Sequence, residues 1–163
     1  MKTLCIIRHA KSSWNFRQLD DFSRPLGDRG REDVIRMGKH LQKESIERPQ
    51  MMVSSPASRA FYTTLHLADA WNYPEAAIRL EPALYHADAD ETIEVLQEYD
   101  DYDYLSITGH NPGFTELINV LAKRSLDNLP TCGMYWIEFD VDYWEEIGSN
   151  HAVNERFVFP KGI

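Results

Sequence analysis

The segment LCIIRHAKSSWN, residues 4–15, joins a buried strand to a polar, serine-rich loop. Its apolar run predicts a strand over residues 3–7, and that strand stops at the pair Arg8-His9. Cationic side chains at a strand end carry little free-energy penalty if they only face water. They suggest a function if they face an anion. Residues 8–29 then form a long irregular stretch, and loops of this length in a compact domain are often functional.

The same order, a short apolar run followed by an amphipathic stretch, recurs along the chain. Strands are predicted at 51–54, 78–80 and 104–108. Helices are predicted at 30–45, from Ser55-Pro56 onward with Ser55 as the N-cap, at 88–99, and after GHNPG at 109–113. Two strand-like segments, MYWIEF and ERFVF, close the chain. Strands that alternate with helices predict an α/β three-layer sandwich, with a mostly parallel central sheet, helices on both faces and an antiparallel tail.

The length and net charge of the chain limit the classes of protein to which it can belong. The 163 residues are expected to form a single domain, 1–163, and the net charge of -9 argues against a nucleic-acid partner. Residues 1–48 nevertheless carry a net +4 and the remainder -13. No apolar run predicts a membrane span, and the widely spaced Cys5 and Cys132 predict free thiols and a cytoplasmic setting.

Polar side chains follow three of the predicted strands at the point where each strand ends. These are Arg8-His9, then Ser54-Ser55 with Arg59 one helical turn later, and finally Gly109-His110-Asn111. Because the carboxyl ends of parallel strands share one edge of a sheet, these groups are expected to meet. Two arginines and helix N-termini suit phosphate. Two histidines beside them indicate phosphoryl transfer, in which one imidazole attacks phosphorus and the other binds the transferring oxygens.

The ordered set of motifs resembles the histidine phosphatase superfamily, which has the phosphoglycerate mutase-like fold, and within it the SixA-type phosphohistidine phosphatase branch. The matching motifs are RHAKSSW at 8–14, DFSRPLGDRGRED at 21–33, SSPASRA at 54–60, GHNPG at 109–113 and LPTCG at 129–133. The resemblance implies that His9 becomes transiently phosphorylated, that no metal or cofactor is needed, and that further residues bind the phosphate: Arg8, Arg59 and His110, with Asn15 and Ser12 as additional contacts.

The sequence departs from the family pattern where many members carry an acidic proton donor. The corresponding stretch reads EPALYHADADE, with Pro82-Ala83 at the expected position and Glu81 one residue away. A missing donor matters most for alkoxide leaving groups, whereas a phosphoramidate leaves readily once its nitrogen is protonated. The gap therefore agrees with a phosphohistidine substrate. Alternatively, an acid donates from an unexpected position, with Glu81, Asp20, Asp21 and Asp88 as candidates.

Several alternatives stay open at this point. The group His86, Asp88, Asp90 and Glu91 could form a metal site, but an acidic first helical turn is favoured. Trp14 either stacks on a substrate or anchors its loop, and Lys11, Arg17 and Arg24 either steer an acidic partner or are plain surface charges.

For function, we expect a signal-transduction phosphatase that acts on a phosphohistidine protein such as a histidine phosphotransfer domain. The alternatives are a small-molecule phosphomonoesterase and a non-catalytic phospho-ligand binder. The sequence indicates no oligomeric state.

Overall fold

Six strands and four α-helices alternate along the chain in the predicted order. A computed structural model describes residues 1–163. The elements are β1 (Lys2–Arg8), α1 (Asp28–Lys43), β2 (Met51–Ser54), α2 (Ser58–Ala70), β3 (Arg79–Leu80), α3 (Ala89–Gln97), β4 (Tyr104–Gly109), α4 (Gly113–Leu121), β5 (Met134–Phe139) and β6 (Ala152–Val158).

One six-stranded sheet has the order β3-β2-β4-β1-β5-β6. The first four strands in this order are parallel, and β5 and β6 run antiparallel to their neighbours. This confirms the predicted sheet and its antiparallel tail. Because β2, β4 and β1 are neighbours, with Arg8 opposite Gly109 and Ser54 opposite Thr108, the three polar strand ends lie side by side.

Both faces of the sheet are covered by helices. Alternate residues of β1 serve opposite cores, since successive side chains of a strand point to opposite faces. Leu4 and Ile6 belong to one apolar cluster and Cys5 and Ile7 to the other. Helices α3 and α4 pack on the first cluster and α1 and α2 on the second. This arrangement is the expected three-layer sandwich.

The sequence predicted the start of α3 correctly and the start of α2 incorrectly. Asp88 caps α3 through a capping box with Glu91, which confirms the acidic first turn. The prediction that Ser55 is the N-cap of α2 is wrong. Helix α2 begins only at Ser58, and its N-cap residue, Ala57, makes no side-chain hydrogen bond.

Cys5 and Cys132 are free thiols, as expected. Both are buried, and burial raises the pKa of each. No helix has the length and apolar character needed to span a bilayer.

Candidate active site

A cavity of about 380 Å³ opens where β1, β2 and β4 end. It brings together the four residues that the sequence analysis assigned to catalysis, namely Arg8, His9, Arg59 and His110. Ser12 also lines it. The remaining lining residues are Lys11, Trp14, Asp21, Arg24, His86, Asn111 and Thr131. Four cationic side chains against one carboxylate make the cavity strongly positive in a chain whose net charge is -9.

Two of the predicted residues lie outside the cavity lining. Asn15 is exposed, and its backbone N–H donates to the Ser13 hydroxyl at 3.1 Å. The Glu81 carboxylate accepts from the backbone N–H of Ala83 at 3.4 Å, at the start of a short 3₁₀ turn.

The other candidate proton donors are also engaged elsewhere or ionised. Asp20 accepts the backbone N–H of Ser23, and Asp88 caps α3. Asp21 is the one acid of this group that lines the cavity.

The His9 ring is fixed in one tautomer, with Nε2 unprotonated. Its Nδ1 lies 2.7 Å from the carbonyl oxygen of Ala10, which can only accept, so Nδ1 carries the proton and Nε2 keeps its lone pair. The Nε–H of Arg59 points at that lone pair from 3.4 Å. Burial lowers the His9 pKa from 6.5 to about 3; the Ala10 hydrogen bond opposes this, and the charges of Arg59, Arg8 and Arg24 add to it. The His9 imidazole is therefore neutral at physiological pH.

Arg59 projects from the first turn of α2 and is 3% exposed. Besides facing His9, it donates through Nη1 to the Asp21 carbonyl at 2.7 Å and through Nη2 to the Asp21 carboxylate at 3.0 Å. The backbone of the long loop thus locks the guanidinium in place. A fork of N–H donors held in this way suits a tetrahedral oxyanion.

His110 follows β4, and its ring centroid lies 5.3 Å from that of His9. Its Nε2 is 2.8 Å from the Ser55 hydroxyl, which is how the structure uses the residue expected to be a helix cap. Burial, then the neighbouring His9 and Arg59, lowers the His110 pKa to about 3. Its Nδ1 is buried without a protein partner.

Arg8 has a similar unpaired atom. Its Nη1 donates to the Leu129 carbonyl at 2.8 Å, whereas its Nε is buried without a partner, and burial lowers its pKa. Buried polar groups are nearly always paired, and exceptions in a cleft often have a catalytic or binding role. Arg8 Nε and the His110 ring are thus groups that a bound anion could satisfy.

Asp21 is the centre of a hydrogen-bond network that the sequence did not reveal. Its carboxylate accepts from Tyr85 at 2.6 Å, from Arg24 at 3.0 Å and from Arg59, and His86 lies 3.3 Å away. Burial raises the pKa of Asp21, but the hydrogen bonds of Tyr85 and Arg24 and the charge of Arg59 outweigh it, so the net shift is downward. Asp21 is therefore ionised. The stretch EPALYHADADE contributes Tyr85 and His86 to this network and leaves Glu81 outside.

Arg24 is buried, so the alternative that it is a plain surface charge is wrong. It is 8% exposed, donates to Asp21 and Ser12, and stacks 3.6 Å over the ring of Trp14. The stacking leaves Trp14 itself 73% exposed at the edge of the cavity. No group of three or more histidines, cysteines or acids is arranged to hold a metal ion.

Two comparisons of the sequence with known proteins match more than half of the chain. The family model described as "Histidine phosphatase superfamily (branch 1)" matches residues 4–104. An uncharacterized chloroplastic protein of Arabidopsis thaliana is 31% identical over 154 residues, which are 89% of this chain and 70% of the relative.

Solved structures with the same fold include phosphatases of several kinds. The protein histidine phosphatase SixA complexed with tungstate has a TM-score of 0.81 at 19% identity, with 98% of each chain covered. A putative phosphohistidine phosphatase SixA from Agrobacterium tumefaciens has a TM-score of 0.77 at 19% identity, also with 98% of each chain covered. A mycobacterial glucosyl-3-phosphoglycerate phosphatase has a TM-score of 0.68 at 15% identity, over 96% of this chain and 97% of the other.

Proposed function

The chain belongs to the histidine phosphatase superfamily, and we propose that it removes the phosphoryl group from phosphohistidine in a protein, with His9 as the nucleophile. The observation that carries this proposal is the neutral His9 ring. Its Nδ1 is held by the Ala10 carbonyl, and its free Nε2 faces Arg59 in a cationic cavity. An imidazole in this setting can attack an anionic phosphoryl group whose charge is neutralised by the arginines.

The proposed reaction has two steps. The Nε2 lone pair of His9 attacks phosphorus and forms a P–N bond, while the bond to the leaving group breaks and the leaving group keeps its electron pair. Arg8, Arg59 and His110 bind the non-bridging oxygens as charge spreads over them. Water then attacks the phosphorus of phospho-His9, inorganic phosphate leaves, and the His9 lone pair is restored. Ser12 also lines the cavity and is kept as a phosphate contact.

The lack of a neutral carboxylic acid in the cavity favours phosphohistidine over an alkyl phosphate. Asp21 is ionised, and Glu81 lies outside the lining. An alkoxide leaving group needs a proton from the enzyme, whereas the imidazole of a substrate phosphohistidine can leave already protonated. The proposal therefore assigns no general acid and requires no metal ion.

The rim of the cavity suits a protein substrate. Trp14 lies at its edge, stacked on Arg24, and Phe16 and Phe22 on the same loop are 47% and 39% exposed. Exposed aromatic side chains beside arginine are typical of protein-binding surfaces. The fold likeness to SixA proteins supports the same substrate class, and the buried free thiols support a reducing compartment such as the cytoplasm, where a phosphorelay would supply the substrate.

A second candidate is a phosphatase for small phosphomonoesters. One observation favours it: the fold is shared with a glucosyl-3-phosphoglycerate phosphatase and with a phosphoserine phosphatase mutant from Entamoeba histolytica, at TM-scores of 0.68 and 0.65. A non-catalytic phospho-ligand binder is a third candidate, and the free Nε2 of His9 argues against it.

The test compares kcat/KM on a phosphohistidine-bearing protein domain, on free phosphohistidine and on a small alkyl phosphate. Wild type and His9→Ala are assayed in parallel, with and without a chelator. We expect a strong preference for the phosphohistidine protein, a loss of at least about 10³-fold in the variant and no effect of the chelator.

Other outcomes separate the alternatives. Equal or better turnover of the alkyl phosphate favours the phosphomonoesterase and means that a proton donor exists, with Glu81 and Asp21 the first to replace. Retained phosphate affinity without turnover in the wild type identifies a binder. Loss of turnover in the chelator overturns the metal-independent mechanism.

A further inference from the structure

A second cavity of about 330 Å³ adjoins the candidate active site. Lys11 and Thr131 line both cavities, so the two are adjacent. The rest of the second lining is Arg29, Asp33 and Lys161. The mechanism proposed above uses none of these three residues.

The second cavity carries excess positive charge. Arg29 is paired with Asp33, whose carboxylate lies 3.0 Å from the Arg29 Nε and is 8% exposed. Lys11 and Lys161 form no ion pair, and neither ammonium group has a hydrogen-bond partner in the protein. Two uncompensated ammonium groups facing one cavity repel each other, and a bound anion removes that repulsion.

The fold holds the parts of this cavity in fixed relation to His9. The Lys11 carbonyl accepts the Gly27 N–H at 2.9 Å, which fixes residue 11 against the start of α1. The N–H of Cys132, next to Thr131, lies 3.1 Å from the carbonyl oxygens of Arg8 and His9. At the other end, the Pro160 carbonyl accepts from Arg36 of α1 at 3.4 Å, beside Lys161.

We propose that this second cavity is an anion subsite, which binds a second anionic group of the same substrate while the transferable phosphoryl group lies beside His9. The ligand chemistry is an oxyanion, a carboxylate or a phosphate, on the same molecule as the phosphoryl group. An acidic side chain beside a phosphohistidine and a small doubly anionic phosphate both present this pattern. The inference rests on the proposed function in that the phosphoryl group binds in the first cavity.

Calorimetric titration tests the subsite without requiring turnover. The probes are orthophosphate, methylenebisphosphonate and phosphonoacetate, so that the second group is absent, a phosphonate or a carboxylate. The proteins are wild type, Lys161→Gln and the matched control Lys123→Gln. Lys123 is also exposed, and its ammonium makes no hydrogen bond or ion pair.

We expect at least one doubly anionic probe to bind the wild type about tenfold more tightly than orthophosphate, and Lys161→Gln to remove most of that gain. Lys161→Gln should leave orthophosphate affinity within about twofold, and Lys123→Gln should change neither affinity. The tighter probe identifies the second group as phosphate-like or carboxylate-like.

The subsite is overturned if all three probes bind the wild type equally, or if Lys161→Gln weakens orthophosphate and the doubly anionic probes by the same factor. The proposed function fails separately. If orthophosphate does not bind but a doubly anionic probe binds in a Lys161-dependent way, the result contradicts the proposed phosphoryl site and supports the subsite.

Discussion

The two buried histidines of the site are held by opposite ring nitrogens. His9 is fixed through Nδ1 by a backbone carbonyl and leaves Nε2 unprotonated, whereas His110 is fixed through Nε2 by Ser55 and leaves Nδ1 unpaired. A backbone carbonyl imposes one tautomer, but a hydroxyl can donate or accept. The tautomer of His9 is therefore fixed, which suits the nucleophile proposed above, whereas the His110 ring can adapt its hydrogen bonding to a bound phosphoryl group, as the proposed mechanism requires.

Replacing Ser55 should therefore impair catalysis more than it impairs folding. Ser55→Ala removes the partner of His110 Nε2, and a lost buried hydrogen bond of about 1–3 kcal/mol predicts a fall in kcat/KM of roughly tenfold or more. Ser54→Ala is the matched control, because Ser54 is equally buried but bonds only to the Ser55 carbonyl. Urea unfolding and phosphohistidine turnover are measured on both. Equal activity losses in the two variants would show that Ser55 does not position His110.

Asp21 competes with a bound phosphoryl group for Arg59. Asp21→Asn removes the negative charge while keeping the side-chain shape, so orthophosphate should bind more tightly, by up to about fivefold, since ion pairs of part-exposed carboxylates are worth about 0.2–1 kcal/mol. Asp20→Asn is the control, because Asp20 bonds only to the Ser23 N–H. The dissociation constants are measured by calorimetry at constant ionic strength. Weaker phosphate binding in Asp21→Asn would mean that the carboxylate orients the arginines more than it occupies them.

Helix α1 packs closely against the loop that follows β1, and the contact is made at Gly30. A methyl group at Gly30 would lie 2.1 Å from the carbonyl oxygen of Lys11, two residues beyond His9. No real Cβ comes that close to backbone, so the helix and the loop must move apart. The start of α1 is therefore coupled to the geometry of the site.

Gly30→Ala should lower the free energy of unfolding by roughly 1–3 kcal/mol and also reduce kcat/KM. Alanine favours helix over glycine by about 1 kcal/mol, but the overlap with backbone outweighs this gain. Gly27→Ala is the matched control, because its added methyl group would meet its nearest neighbour at an ordinary 3.5 Å. Denaturant unfolding and turnover of the two variants decide the point. A Gly30→Ala variant as stable and active as the control would refute the coupling.

The strand ends of the site could be predicted because they depend on local pattern. Each apolar run ends in polar residues, and the parallel order of β2, β4 and β1 puts these ends together. The boundary of α2 could not be read in the same way. Ser55 and Pro56 form a good local start signal, and the Ser55 hydroxyl does accept the N–H of Ala57 at 3.3 Å, but the helix begins only at Ser58. The same hydroxyl also contacts His110, 55 residues away, and no local pattern predicts that contact.

The Asp21 network shows the same limit more strongly. Asp21 contacts Arg59, 38 residues away, and Tyr85, 64 residues away, across a loop with no periodic pattern. Nothing in its local sequence separates Asp21 from Asp20, although only Asp21 faces the cavity. For the same reason Glu81, the nearest acid to the expected family position, could not be ruled in or out before the path of the loop was known.

The chain as a whole is acidic, but its positive charge is concentrated where the three polar strand ends meet. The cavity-lining residues Arg8, Lys11, Arg24 and Arg59 all lie in the first 59 positions, and the remainder of the chain is strongly acidic. Holding His9 and His110 neutral among these cations links the folding of the whole domain to pH, because both rings bind a proton more readily when the chain is unfolded.

The stability of the domain should therefore fall as the pH drops below about 6.5, the pKa of an unfolded histidine. The folded His9 pKa is about 3, so between pH 6.5 and 3 only the unfolded chain protonates this ring, and stability decreases throughout that window. At pH 5 the loss from His9 is about 2 kcal/mol. His9→Ala removes this loss, so the difference in unfolding free energy between wild type and variant should shift in favour of the variant by that amount from pH 7 to pH 5. Urea unfolding at each pH measures it, with Ser54→Ala as the control that removes no titratable group. A difference that stays constant with pH would show that His9 has the same charge in the folded and unfolded chain, and the neutral nucleophile would have to be abandoned.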